Sequence, residues 1–128
     1  MVNGQLLQVA ADTMANAGGT APIICRGDQL LKPETSGVPV GLLDDRRYEE
    51  TVVQLERGDV IVLTSDGIQD AFNGAGDEYG RERLGLAIKR HCGASVQEIV
   101  DSIFADVDNH VGDAPQFDDQ TILILRVT

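Results

Sequence analysis

Gly58-Asp59-Val60-Ile61-Val62-Leu63-Thr64-Ser65-Asp66-Gly67-Ile68-Gln69-Asp70-Ala71-Phe72-Asn73 is the stretch on which the reading of this chain turns. A Gly-Asp turn opens it. Val60 to Thr64 then carry apolar residues on both faces, the pattern of a strand buried inside a sheet. Asp66 and Gly67 follow at once. A carboxylate at the end of a buried strand sits on a rigid element, and a glycine beside it lets another group approach the backbone closely. Metal and phosphate sites are built this way. So are ordinary hairpin turns, because Asp-Gly is among the commonest turn dipeptides, and the stretch alone does not choose between them.

A second acidic element weighs on the choice. Phe117-Asp118-Asp119-Gln120-Thr121 precedes Ile-Leu-Ile-Leu-Arg-Val, which reads as another continuous buried strand. Here the carboxylates come before the strand. If Val60–Thr64 and Thr121–Val127 run antiparallel in one sheet, the end of the first lies beside the start of the second. Asp66 and the pair Asp118/Asp119 then converge on one sheet edge. Three carboxylates together repel unless a cation sits among them, and all-oxygen ligands suit a hard ion such as Mg²⁺ or Mn²⁺.

The same segments resemble a family. Gly58 to Ala71, then Glu78-Tyr79-Gly80-Arg81-Glu82-Arg83-Leu84, then Asp118-Asp119-Gln120-Thr121, are similar to stations of the metal-dependent PPM protein phosphatases, in their bacterial SpoIIE-like branch. Asn16-Ala17-Gly18-Gly19-Thr20-Ala21-Pro22 and Gly37-Val38-Pro39-Val40-Gly41-Leu42 resemble further stations in the same order. Five ordered motifs, spread from about Met14 to Val127, are far more specific than one Asp-Gly. Two departures stand out. Gly19 occupies a position where the family usually has histidine. No Asp-x-x-Gly-His-Gly segment, whose aspartate bridges two metals in the family, occurs in these residues, and Asp12 is followed by threonine.

What the resemblance implies is an α+β fold of the PPM α-β-β-α sandwich type. Residues 1–128 would form a single domain, the C-terminal portion of a SpoIIE-like PPM phosphatase domain, with antiparallel strands and two main helices. It implies Mg²⁺- or Mn²⁺-dependent removal of phosphate from phosphoserine or phosphothreonine on a regulatory protein, such as an antagonist of an anti-sigma factor. The nucleophile would be a metal-activated water, so no side chain is expected to act as one. Asp66 and Asp118 take the places of the late metal ligands, and Asp119 orients Asp118 from behind. Without the bridging aspartate, this chain alone is expected to bind metal weakly and to be inactive. The alternative is a truncated or degenerate phosphatase fold that serves as a non-catalytic interaction module.

Composition bounds these readings. The chain has 128 residues, 42% of them hydrophobic and 24% charged, an ordinary balance for one soluble domain. With 4% aromatic residues and no tryptophan, the core must come from Val, Ile, Leu and Ala. The net charge of −11 argues against nucleic acid or an anionic membrane as partner. A phosphoprotein would also be repelled, unless bound cations reverse the field locally. Cys25 and Cys92 stand far apart without neighbours at metal-ligand spacing, which suggests free buried thiols and a cytoplasmic protein. No apolar run reaches membrane-spanning length, and no signal-peptide pattern opens the chain.

Further local expectations follow in chain order. Gln5 to Ala10 reads as a strand that Met14 to Ala17 continues or pairs with. Arg26-Gly27-Asp28-Gln29 reads as a two-residue hairpin between Ile23–Arg26 and Gln29–Lys32, which accounts for an Arg-Gly-Asp tripeptide without adhesion. Lys32 to Asp45, with two prolines, reads as a surface loop. Tyr48 to Glu56 reads as a strand leading through Arg57-Gly58 into the central one as its antiparallel neighbour. Gln69 to Phe72 and Arg81 to His91 read as helices. Gly85 costs the second about 1 kcal/mol relative to alanine and so implies close packing. Ser95 and Glu98 spell a capping box ahead of an apolar stripe at Val96, Ile99, Val100, Ile103, Phe104, Val107 and Val111. Asp101, Asp106 and Asp108 lie off that stripe, as a solvated face. His91 suits a helix C-terminus, and His110 has no partner at ligand spacing. Asp70 can contact the acidic site or face solvent, and Arg46-Arg47 can meet phosphate or face solvent.

Overall fold

The computed structural model of the chain describes residues 7–10, 13–16, 21–32, 50–52, 54–116 and 118–128. Ten elements follow in order: β1 (Leu7–Ala10), β2 (Thr13–Asn16), β3 (Ile23–Arg26), β4 (Gln29–Leu31), β5 (Glu50–Val52), β6 (Val60–Thr64), α1 (Asp66–Gln69), α2 (Gly80–His91), α3 (Val96–Val111) and β7 (Ile122–Arg126). The strands form two antiparallel sheets, ordered β1-β2-β5 and β4-β3-β6-β7. This is an α+β architecture. The calls on Gly19, on the loop up to Asp45 and on Arg46-Arg47 fall outside the described residues.

β6 organises the larger sheet because its residues are buried on both faces. Val60 and Val62 point to one face with Ile23, Cys25 and Ile124, where Leu84, Ile88, Ile99, Ile103 and Val107 of α2 and α3 cover them. Ile61 joins Ile24 on the opposite face, with Leu31 and Leu55 packed alongside. Strict alternation along a strand puts neighbours on opposite faces, so both faces of this sheet exclude water at its centre. The β3–β4 hairpin pairs Arg26 with Gln29, with Gly27 at φ 62° in its turn. Gly85 faces β4 closely enough that a Cβ there would lie 3.2 Å from Leu30 Cδ1. The glycine therefore lets α2 approach β4 closely here.

α3 starts as its sequence demands. Glu98 N–H donates to Ser95 Oγ at 3.2 Å, and Ser95 N–H donates to Glu98 Oε2 at 3.4 Å. Its stripe is narrower than the sequence suggests: Ile99, Ile103 and Val107 are fully buried, whereas Val96, Val100, Phe104 and Val111 are only partly covered. Asp106 is a correction to the solvated face. It accepts a hydrogen bond at 2.5 Å from the hydroxyl of Tyr79, which is 1% exposed. A tyrosine packed that deeply needs a partner for its O–H, and a helix residue one position off the stripe supplies it. Burial, reinforced by the Asp106 carboxylate, pushes the Tyr79 hydroxyl well above its ordinary pKa.

Two strand expectations need correcting. The strand from the Tyr48–Glu56 segment, β5, pairs with β2 in the smaller sheet and is not the neighbour of β6. The flanks of β6 belong to β3 and β7. The Arg57-Gly58 turn instead fastens the start of β6 to the end of β7: Gly58 N–H donates to Val127 O at 2.8 Å, and Val127 N–H donates to Asp59 O at 2.9 Å. β7 in turn is not buried throughout. Ile124 is, but Leu123 and Leu125 are 51% and 43% exposed, and β7 stands at the sheet edge.

Asp59 is the one charged side chain buried among the described residues. Arg26 donates to both of its oxygens, from Nε at 3.0 Å and from Nη2 at 2.7 Å, and Glu56 N–H donates to Oδ2 at 2.8 Å. This side-on fork compensates the carboxylate for lost water. Cys25 and Cys92 are free and buried, and burial with the neighbouring Cys92 raises the Cys25 thiol to about 12. Among the described residues no helix is long and apolar enough to cross a membrane.

Candidate metal centre

The register of β6 and β7 brings the two acidic elements to one end of the larger sheet. Thr64 pairs with Ile122, and Ser65 N–H continues the ladder by donating to Thr121 O at 2.9 Å. Asp66 and the Asp118–Asp119 turn therefore lie at the same edge, as the antiparallel arrangement requires. α1 begins at Asp66, three residues before the helical stretch expected from the sequence, so Asp66 occupies its first turn. The strand passes directly into helix, and a negative charge suits a helix N-terminus.

Three contacts bind the two elements. Ser65 Oγ–H donates to Asp119 O at 3.1 Å, and Thr121 N–H donates to Ser65 Oγ at 2.9 Å. Gly67 is buried against the same turn, and a Cβ built on it would overlap Asp119 O and lie 3.4 Å from Asp118 O. Only a glycine allows this approach. The turn itself is closed by Asp119 N–H donating to Asp118 Oδ1 at 2.8 Å, while Gln116 Nε2 donates to Asp118 O at 2.8 Å. Asp119 thus acts on Asp118 through its main chain. One oxygen of Asp118 is engaged within the turn.

Asp66, Asp118 and Asp119 are all exposed. Their donors are oxygens, the chemistry that hard divalent cations select. Among the described residues no group of three or more His, Cys, Asp and Glu side chains is gathered closely enough to hold a metal ion. The carboxylates share a sheet edge without forming a closed cage.

Beside it lies a cleft of about 360 Å³ that shares Gly67 and Asp118 with the edge. Asp70 and Asp108 stand on it together with Ala71, Phe72 and Val111. Asp70 therefore lies next to the site while remaining exposed. The segment before α2 is held by side chains whose anchoring role is not legible in the sequence. Asn73 Oδ1 accepts from Ala75 N–H at 3.0 Å and Asp77 N–H at 2.9 Å. Arg81 donates to Ala21 O at 2.9 Å and Pro22 O at 3.2 Å. His110 Nε2 is 2.8 Å from Asp77 O and its ring meets Tyr79 edge-on, so this histidine is structural. The bridging role of Ser65 is likewise not legible in the sequence.

Comparison with known proteins gives one answer. The family profile for Stage II sporulation protein E (SpoIIE) matches residues 10–128. Stage II sporulation protein E of Bacillus subtilis is 30% identical over 125 residues, 94% of this chain and 14% of the relative. The phosphoserine phosphatase RsbU of Bacillus subtilis is 34% identical over 93 residues, 73% of this chain and 27% of the relative. The chain thus spans a minor part of either. Among solved structures, the SiaA PP2C domain of Pseudomonas aeruginosa superposes with a TM-score of 0.77 at 25% identity, over 92% of this chain and 48% of that one. The PP2C phosphatase domain of SpoIIE from Bacillus subtilis gives 0.72 at 26% identity, over 90% of this chain and 33% of that one. The chain belongs to the SpoIIE family and has the fold of part of a PPM-type (PP2C) protein phosphatase domain.

Proposed function

We propose that the chain is the later part of a Mg²⁺- or Mn²⁺-dependent phosphoserine/phosphothreonine protein phosphatase domain, with Asp66 and Asp118 as metal ligands and Asp119 orienting Asp118. The observation that carries this reading is the β6–β7 register, which sets Asp66 and Asp118 at one sheet edge. Family membership supports the reaction class. The oxygen-only donors suit a hard divalent ion, and a full coordination shell would need further ligands, since the described residues gather no group of three or more His, Cys, Asp and Glu side chains.

A cation held there would supply Lewis-acid activation of a water for attack on phosphorus. The chain's own residues do the rest. Asp66 and Asp118 concentrate negative charge at one edge, and the Asp119 main chain fixes one oxygen of Asp118 in place. The acidity of the chain gives the ion a second task. With a net charge of −11, a phosphoprotein is repelled unless positive charge is bound where the phosphate must sit. The substrate we assign is a phosphorylated regulatory protein of the anti-sigma-antagonist type. Its support is the SpoIIE family resemblance together with the relative named a phosphoserine phosphatase.

The test is Mn²⁺ uptake and phosphoserine-peptide hydrolysis by the 128-residue chain, its Asp66→Ala variant and its Asp118→Ala variant. Weak uptake that either substitution abolishes, with negligible turnover by the chain alone, is the expected result. Uptake undiminished in both variants would remove the metal site from this edge. No uptake at all would favour the non-catalytic interaction module. Robust turnover lost in Asp66→Ala would show that the chain completes its site unaided.

A further inference from the structure

We propose that Ser65 is the positioning residue of this site, fastening the Asp118–Asp119 turn to the strand end that carries Asp66 before any ion arrives. The proposal rests on the metal-site reading above. Ser65 occupies the N-cap position of α1, where a serine side chain ordinarily accepts from the helix's own N–H groups. Here it makes no such cap bond. Its hydroxyl instead crosses to the other acidic element, donating to Asp119 O at 3.1 Å and accepting from Thr121 N–H at 2.9 Å.

The choice of partners gives the role. Asp119 O lies one residue beyond Asp118, and Thr121 N–H lies at the entry to β7, so one oxygen spans the whole turn. Ser65 N–H bonds Thr121 O at 2.9 Å as well, and the residue is thereby anchored from both its main chain and its side chain. Two carboxylate elements repel each other when no cation is bound. Something neutral must hold them at a fixed separation, and a hydroxyl that both donates and accepts does so without adding charge. Thr121 and Asp119 are exposed, so water can replace the hydroxyl in satisfying them, though not in fixing their positions.

The experiment compares the metal-free chain with Ser65→Ala and Ser65→Thr, using amide hydrogen exchange by NMR and Mn²⁺ uptake from the spin resonance of the free ion. Ser65→Ala should speed exchange at the Thr121 amide at least about tenfold while leaving the Val62 amide unchanged. It should weaken Mn²⁺ binding by roughly 10–100-fold, the usual effect of losing a group that orients a ligand. The same variant should lower the thermal midpoint by less than about 4 °C. Ser65→Thr keeps the hydroxyl and should restore both exchange and binding to within about threefold.

Unchanged exchange at Thr121 in Ser65→Ala would overturn the proposal. So would unchanged Mn²⁺ affinity in that variant, or a Ser65→Thr variant as impaired as the alanine. Absence of Mn²⁺ uptake by the unmodified chain, with the exchange pattern as expected, would instead remove the metal reading and leave Ser65 as the anchor of the turn.

Discussion

The main-chain oxygen of Asp119 occupies the volume in which any side chain at Gly67 would begin. Gly67 does not have a positive φ, so its demand is steric alone. Gly67→Ala should destabilise the chain by about 1–3 kcal/mol, the range for overpacking a closed contact. It should also push the Asp118–Asp119 turn away from Asp66. A urea melt and an Mn²⁺ titration of the variant check the two effects separately, and a variant indistinguishable from the parent in both would contradict the packing.

Tyr79 is buried and Asp106, half-buried, accepts a hydrogen bond from its hydroxyl, although Asp106 looks like a surface residue in sequence. Tyr79→Phe removes the donor and keeps the ring, and should cost about 1.5–3 kcal/mol as the loss of a bond to a charged acceptor. Asp106→Ala should fall in the same range, whereas Asp101→Ala should stay within about 0.5 kcal/mol. Denaturant midpoints for the three variants decide it, and equal losses at Asp101 and Asp106 would refute the assignment.

On α3 the ranking of Ile103 and Phe104 reverses what side-chain size suggests. Ile103 has no exposure and Phe104 is only partly covered. Ile103→Ala should cost about 2–5 kcal/mol, and Phe104→Ala about 2 kcal/mol, roughly half the loss for a fully buried phenylalanine. Melts showing the larger loss at Phe104 would mean that α3 is rotated from the orientation described.

Acid should weaken the fold through Asp59. Hydrogen bonding to Arg26 lowers its pKa below the ordinary value of 3.8. A group depressed in this way adds stability above its unfolded pKa, and loses it as pH falls through the lower, folded one. The contribution should therefore be constant near neutrality and disappear below about pH 4. Asp59→Asn should cost about 1–3 kcal/mol at pH 7 by leaving the cluster unbalanced, and should flatten the acid limb of the stability profile. An unchanged acid limb in the variant would place the titrating group elsewhere.

Much of this architecture can be read from the residues, and the exceptions have physical causes. β6 is found at the expected residues because a five-residue, β-branched-rich run bounded by Gly58-Asp59 and Asp66-Gly67 is too short for a helix. α3 is found because the Ser95/Glu98 box marks its start independently of its stripe. β5 goes to the smaller sheet because adjacency in sequence is only a tendency toward pairing, and Gly58-Asp59 bonds to the far end of β7 instead. The exposure of Leu123 and Leu125 is invisible in an unbroken apolar run, since composition does not say what covers each face of an edge strand. At the site, the shared edge of Asp66 and Asp118 follows from strand direction. The Ser65 bridge does not, because a serine before Asp-Gly reads first as a helix cap.

The Ser65–Asp119 bond joins residues 54 positions apart, with both long helices between them. On a translating ribosome, Asp66 emerges well before its counterpart exists. At a synthesis rate of about 5–20 residues per second, roughly 3–11 s separate the two. Through that interval the first carboxylate is present without the second, and the excursion through α2 and α3 must fold back before the edge can close. The acidic edge therefore cannot close until α2, α3 and the entry to β7 have all been made.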